Sequence, residues 1–121
     1  MSVMQRWIAR LRDPESKQCI FRLRKGDCFC ATGLLADVID PNGWYLLALP
    51  DHFGDFSWHS HISGLSRHYL KKNNIAESDY HLAIFANDRG ASFAEISDCL
   101  ETGDWGTNKE LYDETYSDKL L

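Results

Sequence analysis

The sequence is poor in the features that most directly declare a function. No apolar run approaches the ~20 residues that a membrane-crossing helix needs, and the opening Met1-Ser2-Val3-Met4-Gln5-Arg6-Trp7 lacks the long apolar centre of a secretory signal. A cytoplasmic protein with no membrane partner is therefore expected. Gly-rich phosphate loops, a Ser nucleophile elbow and EF-hand spacing are all missing. So is the Cys-x-x-Cys of redox and zinc motifs: the four cysteines stand at 19, 28, 30 and 99, and Cys28 and Cys30 are separated by one residue only. A cytoplasmic setting favours free thiols over disulfides. Internal repeats, low-complexity segments and linkers are absent too. The three prolines, Pro14, Pro41 and Pro50, each fall where a hydrophobic pattern breaks.

What is present is one domain's worth of chain. Its 121 residues suffice for a single core, and 44% apolar with 26% charged residues is ordinary for a soluble globular protein. Charge is segregated. Residues 1–25 carry seven Lys or Arg against two acids, a balance of +5; residues 26–121 carry six against sixteen, a balance of −10; together these give the net −5. An acidic body argues against a nucleic-acid partner, because such binding depends on neutralising many phosphates. Self-association between oppositely charged ends stays open as an alternative.

The periodicities predict an α+β domain over 1–121: a small, mainly antiparallel sheet of about three or four strands packed with four or five short helices. Val3, Met4, Trp7, Ile8 and Leu11 mark a helix over 3–12. Cys19, Phe21 and Leu23 alternate with Ile20, Arg22 and Arg24, predicting a half-exposed strand over 18–24. Lys25-Gly26-Asp27 is a turn. Ala31, Leu34, Leu35 and Val38 mark a helix over 30–39, stopped by Asp40-Pro41-Asn42-Gly43. A near-continuous apolar strand follows over 44–49, then an aperiodic surface loop over 52–61. A helix is expected over 63–72 and a strand over 80–86, where Tyr80, Leu82 and Ile84 alternate with their neighbours. Ser92 and Glu95 form a capping box that opens a helix over 92–101. Thr107 and Glu110 repeat the pattern for an acidic helical tail at 108–119, within 104–121.

One resemblance covers roughly residues 7–100. Trp7-Ile8-Ala9-Arg10-Leu11-Arg12, Lys17-Gln18, Gly26-Asp27-Cys28-Phe29-Cys30-Ala31-Thr32-Gly33, Leu35-Ala36-Asp37, Asn87-Asp88 and Ser92-Phe93-Ala94-Glu95-Ile96-Ser97-Asp98 resemble an uncharacterised family of small proteins of bacteria and their phages. Members usually read Cys-Cys-Leu-Gly where this chain has Cys30-Ala31-Thr32-Gly33, and often carry cysteine in place of Ala36. The family has no assigned activity. The resemblance implies a phage or mobile-element setting, in which small accessory proteins often bind a host protein or protein complex, including defence systems.

Three constellations are candidates for chemistry or binding. Cys30, His81 and then Asn87 or Asp88 stand in the chain order of a papain-like, NlpC-P60-like cysteine hydrolase, with thiolate, base and orienting group. Cys30 would sit at a helix start, where the dipole favours thiolate; the alternative is a small buried hydrophobe. Cys28, Cys30, His59 and His61 supply the ligand types of structural zinc, but at the wrong spacing. Phe53, Phe56 and Trp58 in the 52–61 loop would make aromatic anchors for a partner, or caps on the core. The favoured reading is a non-enzymatic interaction protein without a cofactor, with the hydrolase as its alternative. Structural zinc contributes folding energy outright, so a chelator should leave Tm unchanged; about one zinc per chain on elemental analysis would contradict the spacing argument.

Overall fold

The computed structural model of the chain describes residues 1–47, 50–52, 54–59 and 64–117. Helix α1 (Val3–Arg12) begins at Ser2, whose hydroxyl accepts from the Gln5 N–H while the Gln5 side chain accepts from the Ser2 N–H. This reciprocal pair satisfies two of the donors that a helix start leaves open. The stripe read from sequence buries Trp7 and Leu11. Helix α2 (Ala31–Ile39) is different: Ala31 through Ala36 and Val38 are all buried. A helix apolar all round belongs inside a fold, and α2 packs against both α1 and helix α4 (Glu77–Asp88).

Close approach puts α2 there. A Cβ on Gly33 would lie 1.9 Å from the Leu23 carbonyl oxygen, so only glycine lets the helix rest on that backbone. The same carbonyl accepts the Cys30 N–H at 3.1 Å. Helix α5 (Phe93–Thr102) has the expected capping box at Ser92 and Glu95 and closes at Gly103, with φ of 76°. Its partner is α1: Arg12 reaches across to Ser97, Asp98 and Glu101. Two further helices, α3 (Arg67–Lys72) and α6 (Thr107–Ser117), complete the six found among the described residues.

The strands are very short. Strands β1 (Lys17–Gln18), β2 (Arg24–Lys25) and β3 (Cys28–Phe29) form a sheet in the order β1-β3-β2, parallel between β1 and β3 and antiparallel between β2 and β3. Strands β4 (Trp44–Leu46) and β5 (Phe56–Trp58) pair antiparallel, with Trp44 opposite Trp58 and Leu46 opposite Phe56. A bridge between Lys25 and Asp55 links the two sheets. The expected α+β class, with small and mostly antiparallel sheets and several helices, is the observed one. Among the described residues no helix is long and apolar enough to cross a membrane.

Several local expectations need correction. Residues 80–86 are not a strand but lie inside α4. The buried set there is Tyr80, Leu82, Ala83, Ala86 and Asn87, a three-and-four spacing in which the two alanines count as core; Glu77 and Asp79 favour a helix start by complementing its dipole. Residues 18–24 are not one strand either. The chain leaves β1 after Gln18 and re-enters a sheet only at Arg24, and Phe21 between them takes a positive φ of 62°. Instead of sharing a buried face with Leu23, Phe21 is 71% exposed. The expected 52–61 loop contains β5, and the expected 63–72 helix begins at Arg67, with Ser63 outside the described residues. The 44–49 strand covers Trp44–Leu46, with 48–49 outside the described residues; the tail helix is observed as Thr107–Ser117, with 118–119 likewise outside.

Trp58 is the largest correction to the loop. It is fully buried, donates its indole N–H to the Asp40 carbonyl at 2.9 Å and meets the Tyr69 ring edge-on at 4.7 Å. It is a core residue of β5, not an exposed anchor. Trp58→Ala should accordingly cost about 3–5 kcal/mol, the range for removing a buried aromatic, read as a large fall in Tm or in the denaturant midpoint; an unchanged midpoint would contradict this packing.

Candidate functional site

Three residues of the sequence motifs, Gln18, Ala31 and Asn87, meet at one buried carboxamide. Asn87, at the end of α4, is fully buried. Its Oδ1 accepts from Gln18 Nε2 at 2.8 Å and from the Ala31 N–H at 3.1 Å, and its Nδ2 donates to the Cys19 carbonyl at 3.0 Å. Gln18 Nε2 also donates to the Ala91 carbonyl at 2.8 Å. The next residue, Asp88, accepts the Phe21 N–H at 3.1 Å. One short helix end thus holds the 18–21 segment, the start of α2 and the turn after α4. Because buried polar groups are costly unless paired, a filled network of this kind fixes one arrangement.

The residues of the cysteine-hydrolase order each have other partners. Cys30 caps α2: its Sγ accepts from the Gly33 N–H at 3.3 Å and lies 3.3 Å from Thr32 Oγ1. Burial pushes the Cys30 thiol up, against the weaker downward pull of the Thr32 and Gly33 hydrogen bonds. The helix-start effect is present but outweighed. His81 is exposed on α4, its ring edge-on to Tyr80 at 5.4 Å. Among the described residues no histidine hydrogen-bonds Cys30, whose partners are Thr32 and Gly33. Asn87 and Asp88 are occupied by backbone groups instead. Cys19 is pushed up to about 12, by burial first and then by the neighbouring Cys28 and Cys30.

The zinc set is also dispersed among other partners. Cys28 Sγ points to the Gln18 carbonyl at 3.6 Å, while His59 Nε2 lies 2.7 Å from Asp40 Oδ2 and stacks on Tyr69 at 5.5 Å. The His59 hydrogen bond, aided by the Asn42 N–H, holds the Asp40 carboxyl below its usual range. His61 lies outside the described residues, as does Phe53. No metal-holding group of three His, Cys, Asp or Glu occurs among the described residues.

The structure instead builds a site that the sequence did not single out. A cavity of about 210 Å³ is walled by Phe21, Arg22 and Arg24 on one side and by His52, Asp55 and Phe56 on the other. Asp55, 12% exposed in its side chain, takes Arg22 Nη1 on one oxygen at 3.1 Å and faces His52 Nδ1 with the other at 3.3 Å. Beside this neutralised cluster the Arg24 guanidinium lies over Phe56 at 4.1 Å, Phe29 at 5.0 Å and Trp44 at 5.4 Å from the ring centres. Phe56, half-buried, is thus a platform for Arg24. Phe21 also walls a second groove, of about 470 Å³, against His81, Phe85, Tyr112 and Tyr116 on α4 and α6. Tyr45 and Leu46 on β4 are 65% and 62% exposed.

Sequence reasoning missed Phe21, Arg22, Arg24, His52 and Asp55 for a common reason. The only signal for the two arginines was the run Arg22-Leu23-Arg24-Lys25 in a basic N-terminal segment, which an ordinary solvated strand face would show equally, and His52 and Asp55 lay in a stretch without periodicity. The partners that give those arginines meaning lie some thirty residues on, as Arg22 and Asp55 show.

At neutral pH the Cys30 thiol should resist iodoacetamide far longer than a free cysteine, and Cys30→Ser should leave binding activity intact; rapid selective labelling of Cys30 would overturn its role as a cap. Comparison of the chain with models of known families, with curated proteins and with solved structures gives no match.

Proposed function

We propose that this chain works by binding a protein partner through the surface around Phe21, and not by catalysis. The observation that carries the reading is Phe21 itself. A bulky side chain is held 71% exposed at a φ of 62°, a conformation costing about 1–3 kcal/mol in non-glycine residues. Such strain persists only where surrounding structure over-determines it, and here Asn87 and Asp88 clamp the backbone on both sides of Ile20. Exposed Tyr45 and Leu46 add apolar area of the type that interfaces bury. Against the hydrolase alternative stand the high-pKa, hydrogen-bonded thiol of Cys30 and the exposed position of His81.

The narrower form of the proposal takes its setting from the resemblance: a phage or mobile-element protein whose partner is a host protein or complex, a defence-system component among the candidates. Phe56 belongs to this surface as the support of Arg24, while Trp58 belongs to the core.

Phe21→Gly separates binding from folding. Glycine relieves the positive φ and removes the exposed ring, so stability should stay within about 1 kcal/mol of the original, whereas capture of partner from bacterial lysate by tagged protein should be lost. Undiminished capture of the same partner by the variant would sink the proposal.

A further inference from the structure

We propose that Arg24 is the receptor for a carboxylate of an acidic protein partner, seated in the cavity beside Arg22, His52 and Phe56. This rests on the binding reading above and names the chemistry that the partner brings.

Arg24 is held as a recognition group is held. The rings beneath it meet nearly at right angles, Phe29 to Trp44 at 69° and Trp44 to Phe56 at 85°, so the guanidinium is enclosed by three π faces. Its Nε donates to the Gly26 carbonyl at 2.7 Å. Among the described residues neither Nη group has a protein acceptor and no carboxylate pairs with Arg24. The neighbouring arginines differ: Arg10, Arg12 and Arg22 each have an acidic partner. A planar fork with free terminal donors matches a carboxylate in bidentate geometry. Its rotamer is already fixed by the rings, so binding orders little more.

Size and charge narrow the occupant. A cavity of about 210 Å³ suits one side-chain head group, being smaller than the roughly 300–1,000 Å³ of small-molecule sites. Arg22 and Asp55 cancel, leaving Arg24 and the adjacent, exposed Lys25 against Asp51 on the rim. Of the seven Lys and Arg in residues 1–25, Arg10, Arg12 and Arg22 are paired with acids, while Arg24 at this cavity and Lys25 next to it stand to draw an acidic segment. Two cations unpaired among the described residues are too few for a run of phosphates, which disfavours nucleic acid, and Phe21 and Leu47 on the wall favour an apolar residue beside the carboxylate.

The test titrates isotope-labelled full-length protein with acetyl-Leu-Glu-Leu-Glu-Leu-amide and with the same peptide carrying glutamine at both Glu positions. The Arg24 Nε–Hε and Trp44 indole signals are followed. The glutamate peptide should shift both signals saturably and bind at least about tenfold tighter than the glutamine peptide, as a charge-assisted pair implies. Arg24→Lys keeps the positive charge and should lose that discrimination, because a point charge cannot reproduce the fork; its Tm, measured in parallel, shows whether the fold is kept. Equal affinity for the two peptides, or an unmoved Arg24 signal, would overturn the assignment. So would tighter binding of a single-stranded oligonucleotide at the same salt. Shifts that grow with protein concentration alone would replace the separate partner with the acidic segment of a second copy. If Phe21→Gly abolishes lysate capture while Arg24→Lys leaves it intact, the binding reading stands and the carboxylate falls; if neither variant changes capture, both fall.

Discussion

The rest of the structure depends on the buried carboxamide of Asn87. It is an uncharged side chain that both donates and accepts: its oxygen takes the first N–H of α2 and the side chain of Gln18, and its nitrogen donates to the carbonyl of Cys19. A carboxylate there could not donate to Cys19, and an apolar residue would leave several buried groups unpaired at about 1–3 kcal/mol each. Through this residue the C-terminal end of α4 sets where the N-terminal segment crosses and where α2 begins.

That fixed point explains why α2 can be so buried. The helix lies against the Leu23 backbone through Gly33, and the Trp7 indole donates to the Ala31 carbonyl at 2.8 Å. The far end is held by Asp37, which takes Arg10 on one oxygen and the Trp44 indole on the other. Trp7, Arg10, Gln18, Cys30, Gly33, Asp37 and Asn87 therefore act together as fold determinants. These residues pack, and the proposed binding surface at Phe21 and Arg24 adjoins them.

The structure also separates two kinds of arginine. Arg12 and Arg10 tie helices together across the chain, and Arg22 neutralises a mostly buried Asp55. Arg10 also lies over Phe29 but is paired with Asp37, whereas Arg24 rests on three aromatic rings that leave the in-plane donors of its terminal nitrogens unused among the described residues. An aromatic platform thus fixes a cation and leaves it able to bind.

The sequence by itself determined the elements whose information is local. Helices α1, α2 and α5 were legible because a three-and-four apolar stripe and a capping residue lie within a dozen positions of one another, as at Ser2 to Leu11 and Ser92 to Leu100. The α+β class followed from mixing such stripes with short β-rich runs. Residues 80–86 failed because six residues of alternation suit either period, and only burial of Ala83 and Ala86 shows the helical one. Residues 18–24 failed because a clamp from Asn87 and Asp88, some sixty-five residues away, turns Phe21 out of a strand it would otherwise fit. The candidate site was decided by tertiary structure alone. Arg24 becomes a receptor only when Phe29, Trp44 and Phe56 are folded around it, and Trp58 leaves the surface only when β5 pairs with β4.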